Sequence, residues 1–114
     1  MEKNKPLMSK IKYLSLIFSI ILVAACSHNN LQQQEYKRAR LAYEQEDYAK
    51  SVEKLLPLAK NGDMKAQYAL GYLMYYGLGV KQDIAAGKIW IRTSAEQGYK
   101  PARFALQKIN KNEP

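Results

Sequence analysis

The chain has 114 residues, enough for one small domain, with 18 Lys and Arg against 10 Asp and Glu and a formal net charge of +8. One cysteine, Cys26, excludes an internal disulfide, and one histidine, His28, stands with no acid or nucleophile beside it. Catalysis by a histidine-centred site is therefore not expected, and neither is a metal or another non-covalent cofactor.

Lys3, Lys5, Lys10 and Lys12 make the N-terminus basic, Leu14 to Val23 is apolar, and Ala24-Ala25 precede Cys26. That order is a secretory signal, and the apolar run is too short for a comfortable membrane span. Met8 is a second candidate start, because the following Lys10 and Lys12 would still supply a basic end. Val23-Ala24-Ala25-Cys26 resembles the lipobox of bacterial lipoproteins. The resemblance implies cleavage before Cys26, a diacylglyceryl thioether on its thiol and acylation of the new amine. An ordinary signal peptide with a chance or buried thiol is the plainer alternative. Ser27, in place of Asp, implies the periplasmic face of the outer membrane of a Gram-negative envelope. Several acyl chains anchor where one does not.

Residues 1–25 hold four of the 18 basic and one of the 10 acidic residues, leaving 14 against 9 and a net charge of +5. The excess is dispersed, with Lys37, Arg38 and Arg40 near one end and Lys100, Arg103, Lys108 and Lys111 near the other. It suits anionic lipid, cell-wall carboxylates or an acidic partner. An exported chain does not meet nucleic acid, so none is expected as a partner.

Residues 26–34 are polar, lack a 3.6-residue period and read as a tether after the cleaved segment 1–25. The domain is expected over 35–111. A first helix is expected over Glu35–Gln45, with Ala39 and Ala42 allowing close contact. Asp47 caps a second, Tyr48–Lys60, with Val52, Leu55, Leu56 and Ala59 inward and Pro57 bending it. Asn61-Gly62 ends it, and Asp63 caps a third helix from Met64 to about Tyr75. After a connection containing Gly77 and Gly79, Asp83 caps a fourth helix, Ile84–Gln97, which Gly98 terminates. Pro101 opens a fifth, ending near Lys111. With no alternating run that needs a sheet, the fold expected is all-α: a short α-solenoid of antiparallel helix pairs, about five helices after the signal.

Ala59, Gly62, Ala66, Ala69 and Leu70 recur as Ala95, Gly98, Ala102, Ala105 and Leu106, always 36 positions on. A fixed period of that length marks a stacked helical repeat. Ala66, Leu70-Gly71, Gly77, Gly79-Val80, Asp83, Trp90, Ala95 and Gly98 together resemble a Sel-one-like repeat, a relative of the tetratricopeptide repeat. Met74, Gly87 and Ser94 depart from the pattern, standing where Tyr, Ala and Ala are usual. The resemblance implies protein–protein scaffolding, often in the bacterial envelope, with no shared catalysis. Ala66, Ala95 and Ala102 suit close helix crossings, Leu70 and Trp90 fill the space within a pair, and Gly71 trades helix propensity for close approach.

Glu44, Glu46 and Asp47 cluster, but capping and a solvated helix end account for them. Nine tyrosines are many for this length, and Tyr68, Tyr72 and Tyr76 form an i, i+4, i+8 stripe. Tyr68 and Phe104, one period apart, are expected in the core. Tyr72, Tyr76, Gln67 and Arg103 are the candidate protein-binding residues, on a face shared by the first, third and fifth helices. The expected function is a lipid-anchored, non-catalytic envelope adaptor for an unknown envelope protein. Two alternatives are a structural protein contacting peptidoglycan and a small inhibitor or immunity-type protein of one enzyme.

Overall fold

The computed structural model describes residues 5–112 and, among them, only helices and their connections. In chain order these are α1 (Lys5–Glu44), α2 (Tyr48–Lys60), α3 (Met64–Tyr76), α4 (Ile84–Glu96) and α5 (Lys100–Lys111). Two units are distinct by their internal contacts, residues 1–33 and residues 34–114. In the first, the described side chains are almost all exposed. Among the described residues one helix has the length and composition to cross a membrane, with a mean hydropathy of 1.8 in its most apolar stretch.

The helix expected to start at Glu35 instead includes residues 26–34. That stretch holds neither Gly nor Pro, and its glutamines and Leu31 are good helix formers. Ser27 Oγ donates to the Val23 carbonyl at 3.0 Å, and His28 and Gln32 meet at 2.9 Å across one turn, so polar side chains find partners without breaking the ladder.

In the second unit three aspartates start three helices. Asp47 accepts from the Lys50 amide at 3.2 Å, Asp63 from Lys65 and Ala66 at 2.8 and 3.0 Å, and Asp83 from Ala86 at 2.9 Å. Left-handed glycines follow three helices: Gly62 at φ +93, Gly77 at +67 and Gly98 at +95. α2 continues through Pro57 to Lys60, because a proline there removes a single amide near the helix end.

Helix α2 packs on α3, α3 on α4, and α4 on α5. One cluster gathers Leu55, Leu58 and Ala59 of α2, Ala66, Leu70 and Leu73 of α3, and Ala39 of α1, with Trp90 of α4 half-buried against it. A second gathers Ile91 and Ala95 of α4 with Ala102 of α5, flanked by Leu106 and Ile109. The inward side of α2 is Ser51, Leu55, Leu58 and Ala59, a clean helical face; Leu56, expected inside, lies about 100° round and is 38 % exposed. Ser51 occupies the buried position instead.

The α3–α4 crossing is set by two glycines. A methyl on Gly71 would stand 2.8 Å from the Gly87 carbonyl oxygen, and one on Gly87 would stand 2.8 Å from both the Gly71 carbonyl and the Tyr75 amide nitrogen. Gly87, a departure from the repeat pattern, therefore matches the distance at which these helices cross. Ser94, another departure, is fully buried and donates to the Met64 carbonyl at 2.6 Å, tying α4 to the start of α3.

Candidate functional site

Five tyrosines converge on one side of the second unit. Tyr36 and Tyr43 come from α1, two turns apart with Arg40 between them; Tyr68 and Tyr72 come from successive turns of α3; Tyr99 sits at the N-cap of α5. Together with Ser51, Leu55 and Ala69 they line a cleft of about 310 Å³. Its walls come from α1, α3 and the start of α5, and its floor from α2.

Ring geometry stiffens the cleft. Tyr68 and Tyr99 have centroids 5.6 Å apart at an interplanar angle of 60°, and Tyr43 meets Tyr48 edge-on at 5.3 Å. Burial pushes the Tyr36, Tyr68 and Tyr72 hydroxyls above the usual phenol range, and the neighbouring phenols add to the effect. At neutral pH these hydroxyls are protonated, so each can donate as well as accept. At the floor, Ser51 Oγ is buried and has no hydrogen-bond partner, while it lines the cleft. Arg40 stands at the mouth, paired with Glu44 at 2.9 Å and largely exposed. The arrangement can hold an apolar side chain among rings and hydrogen-bond a polar group at several points.

Among the described residues there is no group of three His, Cys, Asp or Glu placed to hold a metal ion. Cys26 is a free, exposed thiol in the first unit.

The candidate residues read from sequence separate into two kinds. Tyr72 lines the cleft, half-buried, and meets Tyr76 at a tilt with centroids 4.7 Å apart, Tyr76 itself being 55 % exposed. Gln67 is a correction: it is 4 % exposed, its Nε2 donates to the Ala59 carbonyl at 3.1 Å and its Oε1 accepts from Gln97, so its amide ties α2, α3 and the end of α4 together. Arg103 is exposed, but its Nε donates to the Ala95 carbonyl at 3.2 Å and caps the end of α4, which commits part of the guanidinium to the fold. Phe104, expected in the core, is 65 % exposed. It shares a repeat position with Tyr68, but α3, which carries Tyr68, packs closely on both α2 and α4, whereas the main packing of α5 is on α4.

Tyr36, Arg40, Tyr43, Ser51 and Tyr99 were not anticipated as a group. The i, i+4, i+7 spacing of Tyr36, Arg40 and Tyr43 was a readable signal of a shared helix face. Their meeting with Ser51 depends on the α1–α2 turn, where Glu46 adopts a left-handed φ of 60°.

The Sel1 repeat family model matches residues 65–99, which run from the first turn of α3 to the cap of α5. No curated protein and no solved structure matches the chain. Sel1 repeats are generally protein–protein interaction modules.

Proposed function

We propose that this chain is a non-catalytic adaptor, held at the bacterial envelope membrane by lipid on Cys26, that captures a segment of a partner protein in the tyrosine-lined cleft. The observation that carries the capture is the cleft itself: five rings from three elements around a buried hydroxyl with an unused hydrogen-bonding capacity. Tyrosines supply large contact area with few rotatable bonds, which keeps the entropy cost of binding low. A peptide segment fits this chemistry, since its side chains fill the apolar space while its carbonyls accept from the phenols. The anchor is supported by the basic, apolar, Ala-Ala-Cys order and by the exposure of the thiol.

A photo-crosslinking residue at Tyr43 or Tyr72 in native membranes, read by mass spectrometry, tests the capture. One partner recovered from both positions and lost with Tyr72→Ala at unchanged melting temperature supports it. Crosslinks scattered over many proteins and indifferent to Tyr72→Ala refute it. Cys26→Ala should leave an unprocessed or soluble product; a processed form still sedimenting with membranes would refute the anchor.

A further inference from the structure

Helix α5 carries Lys100, Arg103, Lys108 and Lys111 and no carboxylate. Its buried side is Ala102, with Ala105, Leu106 and Ile109 half-buried beside it. At 100° per residue, Lys100, Phe104, Lys108 and Lys111 fall together on the opposite side, and all four are exposed. A single exposed apolar residue would need no explanation. Phe104, however, is 65 % exposed and shares a cleft of about 340 Å³ with Tyr76, which is 55 % exposed. The floor of that cleft is apolar, with Ile91, Ala105 and Ile109, and Lys108 lines it as well. Rings from two helices thus open to solvent among cations, with no acid to neutralise them on α5.

We propose that this patch docks on an anionic phospholipid surface. Aromatic rings of this kind settle at headgroup level while lysine stems lie along apolar surface and carry their ammoniums to the phosphates. Lipid is favoured over an acidic protein because exposed rings accompany the cations, as seating at headgroup level requires, and the proposed anchor on Cys26 keeps the chain at a bilayer. The proposal rests on the membrane-tethered reading in one respect: tethering raises the local concentration of bilayer surface, so a patch of three cations and two rings suffices. The two clefts share Tyr68 and Tyr72 of α3, while Phe104, Tyr76 and Lys108 line only this one.

The test places the full chain carrying Phe104→Trp with vesicles of phosphatidylcholine alone or mixed with phosphatidylglycerol, using brominated acyl chains as quencher. The wild-type chain, whose only tryptophan is Trp90, gives the background. Circular dichroism matching wild type confirms the fold, which an exposed position makes the expected result. The introduced indole should be quenched with the anionic mixture, not with phosphatidylcholine alone, and molar salt should reverse it. In that background Lys108→Ala and Lys111→Ala should each lower the docked-to-free ratio about fivefold. Quenching equal in both compositions, or indifferent to both lysines, overturns the proposal, as does protection of the indole by envelope proteins but never by lipid. A chain that floats with phosphatidylcholine vesicles yet keeps its indole in water loses the docking and retains the tether. A chain that fails to float there but is quenched by the anionic mixture loses the tether and retains the docking.

Discussion

Gly79 and Gly62 both have left-handed backbones, at φ +67 and +93, but their surroundings differ. A methyl on Gly62 meets nothing within 4 Å, whereas one on Gly79 would collide with the backbone joining Tyr48 to Ala49. Gly62→Ala therefore carries only the conformational cost, about 1–2 kcal/mol. Gly79→Ala adds an overpacking cost and should reach upward of about 3 kcal/mol, since the α3–α4 connection must lift off the start of α2. Thermal melts should show a drop of roughly 5–10 °C for Gly62→Ala and a clearly larger one for Gly79→Ala. Equal drops would mean that the connection is not seated on α2. The positive φ at Gly79 was legible from the glycine spacing, but its contact with Tyr48 was not, because nothing local encodes which backbone lies opposite. Gln67 teaches the same lesson from the other side. Its polarity suggested a surface, yet its buried amide holds three helices together.

At the scale of the element, helix starts were the most legible feature, because an aspartate cap acts within three residues of itself. Helix phase was less so: Val52, expected inside, does pack partly buried against the core, but Leu56 turns outward and Leu58 and Ser51 take the buried side. Trp90 of α4 was expected as filler within the helix pair, and it lies half-buried against the cluster shared by α2 and α3. Trp90→Ala should cost about 3 kcal/mol, the low end for a large ring that keeps some solvent contact. A denaturant midpoint near wild type would show that the ring contributes little. The tyrosines joining α1 and α3 add a pH dependence. Their folded phenols are raised above the ordinary value of 10.0, so the unfolded chain loses those protons first as pH rises. The stability linked to them is fully present below that value and is lost as pH climbs through the raised range. Melting temperature should therefore fall above pH 10, and Tyr36→Phe with Tyr68→Phe should flatten that fall. An unchanged slope in the double variant would place the alkaline sensitivity elsewhere.

For the whole molecule, the sequence period predicts a stack whose members support only their neighbours, and the packing order α2, α3, α4, α5 has that form. Phe104 shows where a positional echo misleads: the position that is half-buried at Tyr68 in α3 is bare at Phe104 in α5. The same linear order fixes what α5 contributes. Ile91 and Ala95 are 2 % and 6 % exposed, and they cluster with Ala102 of α5. A chain ending at Gly98 would bare them and remove Arg103 from the Ala95 carbonyl, although most of the matched repeat would remain. In a repeat stack, stability is close to a sum of unit and interface terms, so losing one interface should lower the whole unit and not merely fray its end. The truncated chain should unfold at lower denaturant, with a shallower slope because less surface is buried. Restoring residues 99–112 with Ala102→Glu should fail to recover the midpoint, since a carboxylate at a fully buried position keeps α5 from docking. A truncated chain with the wild-type midpoint would show that α2, α3 and α4 already close the core, and that α5 serves its surface role alone.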